Sequence, residues 1–430
     1  MNAEFRIQDV PVTELAEEFG TPLYVYDSEV ISRQYRGLRD ILDPDVEIFY
    51  SLKANPNIAV CALLRSLGAR AEVSSLAELI TARRAGVAPH DIVFPGPGKS
   101  AEELAACLDE GIEAIVCESL SELDLIDRLA TERNVVARVA LRVNPSFAVK
   151  GSKLVMGGTS RQFGIDEEIL LATPRLAASH PSVRIIGVHV YMGTRVLEER
   201  VVAEHTERIL DLAERVSAAL DFPLELVDIG GGLGVAYFDG ERDLDPEVLA
   251  GLLNPLVRRF ATAHPGTRIA MELGRYLTAP AGVYLTRVLH TKESRGVRFA
   301  ITDGGTHHHV AASGSGSFVK RNFPIRLLSR IEAEPDEAWT IAGPLCTPND
   351  TLGKGAPLPG LAPGDLIGVL RSGAYGPSAS PVLFLSHGHP AEVLVHEGRA
   401  GLVRERDRPQ DLLARQYMHE LIDGGANPDR

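Results

Sequence analysis

Apolar runs of strand length alternate with stretches of helical apolar spacing through more than half of this chain. The runs fall at Glu47–Ala54, Ala69–Ser75, Ile92–Pro97, Ile112–Ser119, Val135–Asn144, Arg184–Gly193, Leu224–Gly230 and Arg268–Gly274. Between them, Ile58–Leu67, Leu76–Ala85, Ala101–Leu108, Ser121–Ala130 and Val201–Leu220 place apolar residues three and four apart, as one face of a helix requires. Eight strands alternating with helices predict an α/β fold, a (β/α)8 TIM barrel over residues 34–279, because eight such units close a ring. A doubly wound open sheet is the alternative.

Beyond Gly274 the helical period disappears. Short β-rich runs at Gly282–Leu289, Val297–Asp303, Glu337–Ile341, Asp365–Leu370, Val382–Leu385 and Ala391–Val395 are separated by Gly and Pro turns. They predict a mainly antiparallel β domain over 280–420. Residues 1–33 are expected to join it, through a short amphipathic pattern (Pro11 to Phe19) and a strand at Pro22–Asp27. The tail 421–430, rich in Gly, Asn and Asp, is expected to be disordered.

Composition narrows the function classes. The 430 residues carry 44 basic and 58 acidic side chains, a formal charge of −14, which argues against a broad nucleic-acid or anionic-membrane surface. No apolar run approaches a membrane span, and the N-terminus lacks a basic region followed by an apolar core, so a cytoplasmic protein is expected. Cys61, Cys107, Cys117 and Cys346 show no CxxC or His-Cys spacing, which points away from disulfides and metal.

Barrels of this kind carry their chemistry at the C-terminal strand ends, and here those ends are polar. Lys53 ends the first run. A lysine there either snorkels to solvent or sits in an apolar pocket where a depressed pKa makes its amine a nucleophile. The other ends bring Ser74, Ser75 and Glu78, then Arg142 and Asn144, then His189, Tyr191 and Thr194. The seventh closes in Asp228-Ile229-Gly230-Gly231-Gly232 and the eighth in Glu272-Leu273-Gly274-Arg275. An amine on the first strand, glycines able to approach a phosphate at the seventh and a carboxylate at the eighth describe a pyridoxal 5'-phosphate site. Taken singly each has a plainer reading: a tight glycine turn, a Glu272–Arg275 pair, a hydrogen-bonded core His189.

Tyr50-Ser51-Leu52-Lys53-Ala54-Asn55, Glu72-Val73-Ser74-Ser75, Gly230-Gly231-Gly232, Glu272-Leu273-Gly274-Arg275, Asp303-Gly304-Gly305, Gly343-Pro344-Leu345-Cys346 through Asp350 and Gly373-Ala374-Tyr375-Gly376 follow one another in the order found in a known family. The chain resembles the fold-type III pyridoxal-phosphate decarboxylases, which include the diaminopimelate and ornithine enzymes. The resemblance implies an alanine racemase/ornithine decarboxylase-like architecture. It makes Lys53 the Schiff-base lysine and sets Glu272 at the pyridine nitrogen, with Glu72 and Tyr191 also beside the cofactor. Thr194, Gly230, Gly231, Gly232, Gly274, Arg275 and Tyr375 would surround the phosphate or the substrate carboxylate. It implies an obligate homodimer in which Cys346 and Asp350 reach the partner's active site. The reaction implied is amine exchange at Lys53, loss of CO2 and protonation at Cα by Cys346 or a neighbouring acid.

Departures from the family pattern bear on the substrate. Tyr191 stands where the family has a ring-stacking histidine, and Thr347 where diaminopimelate decarboxylases place a glutamate after the cysteine. His307-His308-His309 replaces the stretch that would grip a distal carboxylate. These variants, with Arg161-Gln162-Phe163-Gly164, resemble a subgroup of antibiotic biosynthesis related to the butirosin-pathway enzyme. That resemblance implies decarboxylation of an acidic aminoacyl group, glutamyl or 3-methylaspartyl, carried on an acyl carrier protein. Arg161, Thr347, Asp350 and His307 become the expected substrate contacts. Lys320, Arg321, Arg326 and Arg330, or Lys150, Lys153 and Arg161, are candidate carrier-docking patches; solvated charged faces are the alternative. Consecutive histidines diverge, so no metal is expected at His307–His309. A decarboxylase of a free diamino acid and a non-catalytic relative that only holds the cofactor remain as competing readings.

Overall fold

The computed structural model describes residues 3–147, 154–155, 160–313 and 321–419. After a two-residue hairpin (Arg6–Ile7 with Val10–Pro11), a strand, β1 (Leu23–Asp27), precedes eight parallel strands: β2 (Val46–Ser51), β3 (Arg70–Glu72), β4 (Ile92–Phe94), β5 (Ala114–Cys117), β6 (Ala137–Asn144), β7 (Val183–His189), β8 (Leu226–Gly231) and β9 (Arg268–Leu273). Each pairs with the next, and β9 pairs back onto β2 with Glu272 opposite Phe49 and Leu273 opposite Tyr50. The ring is closed, as the strand count predicts, and the open-sheet alternative falls.

The ring closes because its interior is small and dry. Phe49, Val93, Ala114, Val116, Ala140, Ile186, Leu226 and Ala270 form a buried cluster of their own inside it. The helices outside are fixed at their starts by serines three residues before a glutamate. Ser75, Ser100 and Ser119 accept the backbone N–H groups of Glu78, Glu103 and Glu122, capping Leu76–Arg84, Ala101–Glu110 and Leu120–Arg133. At the opposite end of the ring, where the strands begin, Arg268 joins Glu47 at 2.7 Å and Glu113 at 3.0 Å, and Arg138 joins Glu113 at 2.8 Å and Glu225 at 3.1 Å. This half-buried network clamps the foot of the barrel, leaving the other end for the site.

The second sheet is built from β10 (Gly282–Ser294), β11 (Val297–Thr302), β12 (Ile325–Leu327), β13 (Glu337–Ala342), β14 (Thr351–Leu358), β15 (Leu366–Leu370), β16 (Ala391–His396) and β17 (Arg399–Arg404). Its order is β14-β13-β11-β10-β1-β16-β17, with β15 pairing both β10 and β12. The N-terminal strand is internal to it: Val25 faces Val283 of antiparallel β10 and Val393 of parallel β16. Three strands escape the sequence pattern. β14 carries two glycines and a proline, β12 is short, and β17 exposes its side chains. The expected strand at Val382–Leu385 is instead a surface turn with Leu383, Phe384 and Leu385 exposed and Leu385 at φ +53°.

Candidate active site

Strand β2 ends at Ser51, and a single 3-10 turn, Leu52–Ala54, carries Lys53 over the barrel mouth. The Tyr50 hydroxyl donates to the Asn55 carbonyl at 2.6 Å, and the Asn55 amide donates to the Gly373 carbonyl at 3.1 Å. The Tyr375 N–H donates to the Ala54 carbonyl at 2.7 Å. The lysine turn is thus tied to the segment that delivers Tyr375 from the second sheet.

Lys53 Nζ donates to Glu72 Oε2 at 2.8 Å and lies 5.7 Å from the Tyr191 ring. The pocket is not apolar. Burial works against the lysine's charge, but the carboxylates of Glu72 and Glu272 outweigh it and raise the amine above its ordinary pKa. The depressed amine of the sequence reading is therefore corrected: the site holds Lys53 as an ammonium, because two carboxylates face it. Glu72 is fully buried and its other oxygen accepts from the Ser74 hydroxyl at 2.9 Å. The Ser74 N–H donates to Glu78 at 2.7 Å, and burial pushes the Glu78 carboxyl up to about 7.

Across the floor, β7, β8 and β9 bring His189, Asp228 and Glu272 together, with one ligand-capable atom of each within 4.8 Å of the others. His189 Nε2 lies 3.3 Å from Glu272 Oε1. Burial opposes the Glu272 charge, yet His189, Lys53 and Arg142 bring its pKa down to about 2. Burial and the neighbouring Glu272 push Asp228 well above the carboxylate range.

The glycines after β8 have a steric reason. A Cβ on Gly231 would lie 1.6 Å from the Glu272 carbonyl oxygen, and one on Gly232, at φ +83°, would lie 2.0 Å from that of Gly193. Only bare backbone lets β8 lie flush against β9 and the Gly193–Thr194 turn. Gly230 and Gly274 are packed in the same way, Gly274 against Ala54. Arg275 stacks on Tyr375 at 4.5 Å, and its Nη1 donates to the Tyr237 hydroxyl at 3.1 Å.

A cavity of about 370 Å³ results, with Lys53, Tyr191, Thr194, Glu272, Arg275 and Tyr375 on its walls. Arg142, Phe163 and His189, outside the expected site set, also line it, with Ser74, Pro95 and Pro97. Arg142 pairs with Glu118 and its guanidinium lies 4.8 Å from the Phe163 ring. The signal of Arg142 and His189, like that of Asp228, was position at a strand end, whereas Phe163 lies in the Arg161–Gly164 motif.

The remaining expected residues lie elsewhere in the single chain. Cys346 is exposed, and Thr347 and Asp350 line a different cavity, of about 750 Å³, in the β-rich domain. Asp350 is buried: it accepts from the Thr306 N–H (2.7 Å) and hydroxyl (2.9 Å) and from the Leu345 N–H (2.8 Å), bracing the Cys346 loop. His307 is 0% exposed, its ring 3.8 Å from His308 and 4.4 Å from His387. In the single chain its turn packs the ring into the domain interior, away from the Lys53 cavity. Burial brings its pKa down to about 4. Arg161 is exposed. Arg330 pairs with Asp365 at 2.9 Å, which removes it from a free basic patch, while Arg321 is exposed beside Phe238. Lys150, Lys153, Lys320 and the 421–430 tail lie outside the described residues.

Residues 28–279, the barrel with its lysine, glycines and Glu272, match the family described as pyridoxal-dependent decarboxylase, pyridoxal binding domain. The chain belongs to the pyridoxal-dependent decarboxylases. It is 40% identical to the L-glutamyl-[BtrI acyl-carrier protein] decarboxylase of Niallia circulans, over 96% of this chain and 98% of that protein. To the diaminopimelate decarboxylase of Aquifex aeolicus it is 32% identical over 94% of each. The crystal structure of diaminopimelate decarboxylase from M. jannaschii superposes with a TM-score of 0.87, covering 97% of each chain at 28% identity. The protein is a pyridoxal-phosphate-dependent carboxy-lyase. Its cavity fits that cofactor: the floor and wall leave both His189 ring nitrogens and Arg275 Nε buried without hydrogen-bond partners among the described residues. Such atoms call for a polar ligand.

Proposed function

We propose that this decarboxylase removes the α-carboxylate of an acidic aminoacyl group, glutamyl or 3-methylaspartyl, carried on an acyl carrier protein in an antibiotic-type pathway. The reading is carried by the near end-to-end similarity to a glutamyl-carrier decarboxylase. It is supported by Thr347, which offers no carboxylate for a distal ammonium. A free diamino acid is the second reading, favoured by the diaminopimelate decarboxylases among the relatives. Mass spectrometry of glutamyl- and methylaspartyl-carrier proteins incubated with the holoenzyme decides between them. Loss of CO2 from one carrier and not from free diaminopimelate, ornithine or lysine is expected; the reverse sinks the carrier reading.

Bound at the barrel mouth, the cofactor supplies an electron sink for the pair left behind by CO2. In this reading Lys53 would provide the amine that holds it at the barrel mouth. Glu72 holds the lysine proton at Nζ, supported by the 2.8 Å contact. Glu272 would accept from the cofactor ring N–H, and Arg275 with Thr194, Tyr375 and the Gly230–Gly232 turn would hold the phosphate. Tyr191 walls the site, its hydroxyl bonded to Thr194.

Assembly completes the site. Cys346 lies exposed on a loop braced by Asp350 and away from the Lys53 cavity, so we assign it to the second active site of a head-to-tail homodimer, where its thiol delivers the proton to Cα. The division into a barrel of 34–279 and a β-rich domain of 1–33 with 280–420 is proposed on the same footing, supported by the pairing of β1 into the second sheet. Cytoplasmic residence is supported by four free cysteines. Among the described residues no helix is long and apolar enough to cross a membrane.

A further inference from the structure

Beneath the pocket floor, Asp228 on β8 is wholly buried. Its Oδ1 accepts the Gly230 N–H at 2.8 Å, which fixes the turn that starts the glycine run. Its Oδ2 has no hydrogen-bond partner, and neither has Glu272 Oε1 on the adjacent strand. Two buried carboxyl groups placed side by side, each with one oxygen lacking a hydrogen bond, resist ionising together. A proton shared between them resolves both orphans at once. The surrounding charges decide where it sits. His189 and Lys53 act on Glu272, together with Arg142, and favour the ion there, whereas Asp228 feels mainly burial and the negative charges of Glu272 and Glu72.

We propose that Asp228 is a positioning residue: it stays a carboxylic acid, donates its O–H to Glu272, and so keeps Glu272 an ionised, fixed acceptor for the cofactor ring. Without that donor the floor would hold an unsupported carboxylate, which would take up a proton and lose its ability to accept from a ring N–H. Asp228 touches neither cofactor nor substrate; it acts through Glu272. The inference rests on the assignment of Glu272 to the ring nitrogen.

The experiment uses the full-length holoenzyme. At neutral pH, the infrared difference between wild type and Asp228→Asn is expected to carry the carbonyl stretch of one un-ionised carboxylic acid. A difference containing only carboxylate bands overturns the proposal. Cofactor affinity, read from the absorbance of the bound chromophore, is expected to stay within about threefold of wild type in Asp228→Asn, which keeps an acceptor for Gly230 and a donor for Glu272. In Asp228→Ala it is expected to fall about tenfold or more, as a lost bond to a charged acceptor implies. Equal affinities in the two variants, both folded by circular dichroism, also overturn it. Glu272→Gln separates the two levels. Wild-type affinity in that variant defeats the assignment of Glu272 itself, whereas a weakened Glu272→Gln beside an unaffected Asp228→Ala defeats only the role of Asp228. One equivalent of metal retained by purified wild type and released from Asp228→Asn would mean that a cation, not a proton, joins the pair.

Discussion

Lys53 is charged because Glu72 sits 2.8 Å away and Glu272 adds to its field, so the amine waits as an ammonium rather than as a free base. Its side chain is still 38% exposed, reaching into the cavity instead of closing against the wall. A carbonyl ligand entering the mouth meets this nitrogen with a carboxylate already placed to take its proton. Lys53→Ala is expected to abolish the visible absorbance of the bound cofactor and to lower the decarboxylation rate by about a thousandfold or more, since among the described residues no other lysine lines the cavity. Spectra and product assays on one preparation measure both. A coloured, active Lys53→Ala enzyme would remove the anchor role.

At the scale of elements, the junction of β8 with β9 and the Gly193–Thr194 turn is where the fold makes the site. Gly231 lets the two strands touch, and their contact sets Glu272 beside Asp228. Gly231→Ala would drive a methyl carbon onto the Glu272 carbonyl oxygen. It is expected to cost about 3 kcal/mol of stability, the scale of a forced overpacking, and to lose cofactor with it. Urea denaturation and cofactor titration check the pair; wild-type behaviour in both would mean that the strands have room the structure does not show. The β8 glycines were legible as a motif, but their reason was not. The pattern suggested close approach to a phosphate, whereas the structure adds a neighbouring strand pressed against the same positions.

Across the whole molecule, a cluster of neutral histidines locks the β-rich domain. Burial lowers His307 to about 4, His308 to about 2 and His309 to about 3. The unfolded chain protonates each near 6.5, so it binds more protons than the folded one below that pH, and stability falls as pH falls. Each histidine is expected to withdraw about 2 kcal/mol between about pH 7 and pH 5. Denaturant midpoints measured at both pH values test this, and His307→Asn should flatten the dependence. A pH-independent midpoint would refute it. Assembly has its own test. Mixing inactive Lys53→Ala with inactive Cys346→Ala under exchange should restore about a quarter of wild-type activity, because half the random dimers are mixed and each regains one complete site. No recovery would place lysine and cysteine in the same chain's site.

The sequence by itself determined the barrel and most of its mouth. Alternating apolar runs reveal eight strands because each must be buried on both faces, and their ends mark Lys53, Glu272 and Arg275 because polar residues survive there only at an open rim. It could not show that Lys53 is held charged or that Asp228 carries a proton for Glu272. Those states depend on which side chains meet across β2, β3, β8 and β9, and, for Asp228, on its complete burial. Nor could it tell that His307 turns inward while Asp350 serves as a brace. A polar residue in a Gly-rich loop reads the same whether it faces a substrate or another loop, and only tertiary packing, which fixes the direction of each side chain and the partners of each hydrogen bond, separates the two.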